Sequence, residues 1–177
     1  NGFTAEKTFL QKNADYYGAA AYKSPFDGKT LRDINNRVKK NTDGKIEKVI
    51  DDLDPDAVMY LINTVLFDAE WESIYKKDEI SDSTFTALDG TKRTISMMYS
   101  TEQRYLDDGK ATGFIKPYKS GYSFVALLPN GDISLSDYVA SMTGKSFVDT
   151  IKNAKDIPVE TAIPKFSYDY DIEMGGA

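Results

Sequence analysis

Residues 57–67 (AVMYLINTVLF) restrict what this chain can fold into more than any other stretch. Six consecutive apolar residues are interrupted by Asn63-Thr64 and then resume as Val65-Leu66-Phe67. Eleven residues of this kind, without Gly or Pro, predict a strand covered on both faces. Such a strand belongs inside a sheet, because an exposed row of this length would invite other chains to pair with it. Asn63 is its polar member. A buried amide left without partners costs on the order of 1–3 kcal/mol, so Asn63 is expected to clamp a neighbouring strand or to be otherwise satisfied at the strand centre. An acidic turn follows, carrying Trp71, the chain's only tryptophan.

Length and composition set the outer bounds. With 177 residues, 41% hydrophobic and 28% charged, the chain is expected to form a single domain over residues 1–177. No apolar run approaches the ~20 residues that span a membrane. No basic-then-apolar leader opens the sequence, so any signal peptide is expected to be absent or removed. A net charge of −6 argues against nucleic acid or an anionic membrane as partner. Cys and His are both absent, which excludes a disulfide, a thiolate nucleophile, a Cys/His zinc site and a Ser-His-Asp relay within this chain. An enzyme built from it alone would depend on carboxylates, Lys, Tyr or an oxygen-ligated metal. Asp52, Asp54 and Asp56 alternate like the start of a calcium loop, but Ala57 stands where that loop needs Gly and Asn63 where it needs a bidentate Glu. No catalytic residue, metal site or cofactor is assigned, and the chain is not expected to be an enzyme.

The pattern elsewhere predicts an α+β fold. Thr4 can cap a first helix, with Phe3, Leu10, Ala14 and Tyr17 on one face and Gly18 as its stop. Residues 19–23 form a short strand candidate. A second helix, capped at Thr30, is lined by Leu31, Ile34, Val38 and Thr42, with Gly44 at the C′ position. Its other face carries Arg32, Arg37, Lys39 and Lys40, a solvated face or a polyanion site. Residues 84–88 and 91–96 flank Asp89-Gly90 as a hairpin. Residues 103–106, 112–118 and 122–128 follow as strands, with turns at Asp108-Gly109 and Ser120-Gly121. Ser134 or Ser136 can cap a helix over 135–142, and a second spans 147–154 after Gly144-Lys145. Residues 157–168 are the last strand, in which Pro164 marks an edge or a bend.

Several of these stretches, in unbroken order, resemble the serpin family. Asn63, Trp71, Glu72 and Tyr75 are similar to the serpin run Asn-Ala-hydrophobic-Phe-Lys-Gly-x-Trp-Glu-x-x-Phe, with Thr64 for Ala, Asp68-Ala69 for Lys-Gly and Tyr75 for Phe. Ile34-Asn35, Val38, Thr42 and Gly44-Lys45-Ile46 resemble Ile-Asn-x-Trp-Val-x-x-x-Thr-x-Gly-Lys-Ile, with Arg37 in the aromatic position. Met97-Met98 resembles the Pro-Met-Met site, with Ser96 for Pro. Ala126-Leu127-Leu128-Pro129-Asn130-Gly131 looks like the end of a strand in the serpin B sheet, and Ile163-Pro164-Lys165-Phe166 like Leu-Pro-Lys-Phe. The sequence stops at residues 174–177, where a serpin would be entering its next helix.

The resemblance implies a serpin-like fold of mixed sheets A, B and C with surrounding helices, represented here by its central part. The N-terminal helices and the C-terminal portion with the reactive-centre loop would lie outside this chain. It implies a secreted, extracellular serine protease inhibitor that offers the loop as bait and inserts it into the main sheet after cleavage. The alternative is a non-inhibitory carrier or chaperone of the same fold. Partners would be a target serine protease, met through that loop, and the remaining segments of the same serpin or another copy. Residues 57–67 would border the gap that opens, with Asn63 at its hydrogen-bonded control point and Trp71 near the top. Residues 30–43, including Thr42, would be the helix that yields, and Lys165 would pair with a carboxylate outside the chain. With its sheet edges unpaired, the segment is expected to fold only with the missing pieces.

Overall fold

The computed structural model describes residues 5–170 and 172, which fall into two compact units divided between Asp68 and Ala69. Phe3, Thr4 and residues 174–177 lie outside the described residues.

In the first unit, helix α1 (Lys7–Tyr17) is capped by Glu6, whose carboxylate accepts from the Phe9 N–H. Gly18 ends it as predicted, in the left-handed region at φ 61°, and donates to the Ala14 carbonyl. Residues 19–23 are not a strand, since nothing among the described residues forms a ladder with them. Helix α2 (Gly28–Asn41) is capped by Asp27 rather than Thr30. The Asp27 carboxylate accepts from the N–H groups of Lys29 and Thr30 and from the Thr30 hydroxyl, so Thr30 sits inside the first turn. The predicted apolar face holds: Val38 and Thr42 are buried, Leu31 and Ile34 half-buried, and the basic residues opposite are exposed. Thr42 itself is the C-cap, and both Asp43 (φ 47°) and Gly44 (φ 79°) are left-handed, which places Gly44 one residue beyond C′.

Residues 57–67 are the main departure from expectation. They form no strand, and Val58, Leu61 and Val65 are 65%, 83% and 81% exposed. A strand exists by virtue of its ladder, and no other described segment supplies one. Asn63 is exposed and clamps nothing among the described residues.

The second unit holds two three-stranded antiparallel sheets. Strands β1 (Ile80–Thr86) and β2 (Lys92–Glu102) form the predicted hairpin, with Gly90 left-handed in its turn. β2 runs well past Ser96, so Met97 and Met98 lie mid-strand and half-buried. Strands β3 (Arg104–Asp107), β4 (Ala111–Pro117) and β5 (Ser123–Pro129) form the second sheet in that order. Helix α3 (Leu135–Ser141) is capped by Ser134. Helix α4 starts earlier than predicted, at Gly144 (Gly144–Lys152), because Thr143 and Ser146 form a reciprocal cap. Among the described residues, strand β6 (Val159–Pro164) pairs with β2 alone, giving the order β1-β2-β6. Pro164 therefore sits on an edge strand, as proline in a sheet must. The strand starts at Val159 and ends there, instead of running from 157 to 168.

The core centres on β4, the middle strand of its sheet. Leu106, Ala111, Phe114 and Ile115 are buried there. So is Lys116, at 2% exposure.

Candidate functional site

A lysine buried in mid-sheet needs a reason. Its methylenes can pack like any apolar side chain, but removing the ammonium from water costs several kcal/mol unless a partner is provided. β4 presents Lys116 to the end of β2, where the Glu102 carboxylate receives its Nζ at 2.5 Å. Glu102 is itself 7% exposed. Its Oε1 also accepts from the Ser100 hydroxyl at 2.6 Å. The Ser100 hydroxyl lies 2.9 Å from that of Thr161 on β6 and 3.4 Å from that of Tyr75. Thr161 donates to the Ser100 carbonyl. The knot thus joins β2 and β6 of one sheet to β4 of the other, and no buried side-chain polar atom among the described residues lacks a partner.

Aromatic rings roof the ammonium. Lys116 Nζ lies 4.5 Å from the centre of the Tyr75 ring and 5.6 Å from that of Trp71, within the range of cation–π attraction. Trp71 stacks on Tyr118 at 4.2 Å with planes 10° apart, and meets Phe124 and Tyr75 edge-on at 5.7 and 6.4 Å. The backbone follows the rings. Trp71 and Tyr118 form an isolated antiparallel bridge, the Glu72 N–H donates to the Pro117 carbonyl, and the Lys119 N–H donates to the Glu70 carbonyl. Lys119 Nζ closes the outer side on Glu70 at 2.7 Å, which holds that carboxyl below its ordinary range. Residues 69–75, irregular in themselves, are therefore docked on the end of β4 by a cation, four rings and three hydrogen bonds.

A second polar feature lies under α3. The Tyr138 hydroxyl donates to Asp108 at 2.8 Å, beside a cavity of about 130 Å³ that Leu127, Met142 and Phe147 also line. Burial and the Asp108 carboxylate push the Tyr138 hydroxyl up to about 12. Burial would raise Asp108, but the bonds from Tyr138 and from the N–H groups of Lys110 and Ala111 outweigh it and hold the carboxyl low.

The four residues singled out in the sequence fall in different settings. Thr42 is buried; its hydroxyl donates to the Val38 carbonyl at 2.9 Å and accepts from the Ile46 N–H at 3.1 Å. Asn63 is exposed on the irregular stretch, Trp71 heads the aromatic cluster, and Lys165 is exposed just beyond β6, its N–H donating to the Ser96 carbonyl. Among the described residues, no hydrogen bond or ion pair joins any two of them. The sequence reading missed Glu102, Lys116 and Tyr118. The signal available for Lys116 was its place after the apolar pair Phe114-Ile115 and before Pro117 in a strand.

Comparison with known proteins follows the same outline. A model of the family "Serpin (serine protease inhibitor)" matches residues 1–177. An uncharacterised serpin-like protein of Thermococcus kodakarensis is 24% identical over 98% of this chain and 41% of its own length. The crystal structure of tengpin, a thermophilic serpin, in the native state superposes with a TM-score of 0.92 at 47% identity, covering 98% of this chain and 45% of that one. The structure of a loop C-sheet serpin polymer gives 0.87 at 45% identity over 99% and 45%. The chain thus spans less than half the length of these relatives.

Proposed function

The chain belongs to the serpin family, and on that premise we propose that it is the central portion of a serine protease inhibitor that works by inserting its reactive loop into the main sheet. The reactive loop and the rest of that sheet are supplied from outside residues 1–177. A protease that cleaves the loop is carried off as the acyl-enzyme while the loop adds as a strand.

One observation carries this reading. Residues 57–67 have the composition of an interior strand, yet stand exposed and without a ladder. Such a segment is completed by strands from elsewhere, and a sheet so completed is one that can be parted. On this reading Asn63 joins the hydrogen bonds that close the gap, and Trp71 lies where insertion begins. Thr42 keeps α2 wound at the end that must give way, and Lys165 pairs with a carboxylate supplied by the remainder of the protein. Residues 1–177 then act as one domain with the remainder, and the target enzyme is met through the loop alone.

The test uses the full-length protein. It is incubated with trypsin-, chymotrypsin- and elastase-like proteases and examined for a protease-sized shift that survives boiling in SDS. We expect such a band with at least one enzyme, and a cleaved form far more heat-resistant than the intact one. Cleavage with no surviving band and no gain in heat resistance would reject insertion and leave a carrier or chaperone of the same fold.

A further inference from the structure

We propose that the buried Glu102–Lys116 pair is a latch that holds residues 69–75 on β4, so that the charge on Lys116 positions Trp71. The argument is geometric. Lys116 reaches Trp71 and Tyr75 only through the faces of their rings, at 5.6 and 4.5 Å, and an ammonium attracts those faces where a neutral group of the same length does not. Glu102 holds the ammonium in place at 2.5 Å. With Ser100 bound to the same Oε1, the carboxylate cannot turn away without breaking two contacts at once. The outer attachments of the segment are the exposed Glu70–Lys119 pair and a few backbone bonds at an irregular edge. Exposed pairs of this type contribute little, so on the inner side the buried cation acts together with the stacking of Trp71 on Tyr118 and its edge contact with Phe124, and it is the restraint there that depends on charge. Its role in inhibition rests on the reading above, because Trp71 is placed there at the entrance to the opening sheet; its role in holding the segment does not.

The experiment compares hydrogen exchange in the full-length protein and in three variants. In Lys116→Met, a chain of similar volume without charge, we expect backbone N–H groups of residues 69–75 and of Lys119 to exchange at least about tenfold faster, while those of β5 and α4 keep their rates. Glu102→Gln should loosen the same segment and leave the shape of the site unaltered; it poses the question again should Lys116→Met fail to fold. Lys116→Arg, which keeps the charge, should restore slow exchange. A uniform acceleration across the sheets, or none at 69–75 in Glu102→Gln, would overturn the latch and reduce the pair to ordinary core support. The protease assay reads the other question separately. Local loosening in a protein that forms no SDS-stable complex would leave the latch standing and remove the inhibitory role. In an inhibitory protein, Lys116→Met should speed spontaneous conversion to the loop-inserted form, and an unchanged conversion rate beside loosened exchange would detach the latch from sheet opening.

Discussion

A methyl group on Gly113 would be driven into the Ala126 carbonyl of β5 and against Leu127 Cδ2 at 3.0 Å. The obstacle is backbone, which cannot swing aside as a side-chain tip can. Gly113→Ala should therefore destabilise the protein by about 1–3 kcal/mol, the ordinary range for overpacking; a melting point unchanged from wild type would contradict it. Thr42 acts by a different route. Its hydroxyl both donates to Val38 and accepts from the Ile46 N–H, so Thr42→Val keeps the volume but strips the part-buried Ile46 N–H of its partner and leaves the Val38 carbonyl with the Thr42 N–H alone. About 1–3 kcal/mol is expected, and Thr42→Ser, which keeps the hydroxyl, should recover most of it in denaturant titration. Equal losses in the two variants would mean that the methyl group, not the hydroxyl, matters. The sequence pointed to Thr42 by its place in a periodic face and a family run. Lys116 carried no such mark, because lysine is read as exposed unless its partner is known, and Glu102 is fourteen residues away on another strand.

Elements whose ends are written in local chemistry were legible. Asp89-Gly90 gave the β1–β2 turn, Gly18 the stop of α1 and Ser134 the start of α3. Where capping chemistry offered two answers, the nearer carboxylate won: Asp27 took the N–H groups that Thr30 was expected to precede. The α3 element carries its own pH prediction. The Tyr138 proton is held up to about 12 against an ordinary 10.0, so the folded state binds it more tightly than the unfolded one. That contribution is complete below the ordinary value and is lost as pH rises through the raised one. Asp108 works in the opposite sense: held low, it stabilises above the ordinary carboxylate range, and the benefit fades as pH falls through its lowered value. Unfolding midpoints measured against pH should decline on both sides, and Tyr138→Phe should flatten the alkaline decline. Identical alkaline slopes in wild type and variant would exclude Tyr138 as their source.

At the scale of the whole molecule, local and long-range information part company over residues 57–67. Their composition specifies an interior strand, but a strand is completed only by its neighbours, and none of the described segments pairs with them. Burial predicted from pattern alone fails when the covering elements belong to other parts of the protein. The second unit differs: its two sheets are laddered, Leu106 and Phe114 are buried in one of them, and the Glu102–Lys116 pair ties the two together. These differences make a prediction about the isolated 177-residue chain. A protease of broad specificity should cut first between residues 54 and 68, where backbone is irregular and side chains largely exposed, and leave a resistant product beginning near Ala69. The apolar stretch, largely exposed and outside any ladder among the described residues, should also drive the chain to associate unless segments of the full-length protein cover it. Sedimentation of the isolated chain, before and after the cut, separates the two effects: association lost with residues 57–67 assigns it to that stretch. A chain that sediments as a monomer, melts cooperatively and resists cleavage there would mean that residues 57–67 find their cover without help. That result would withdraw the support they lend to a sheet completed from elsewhere.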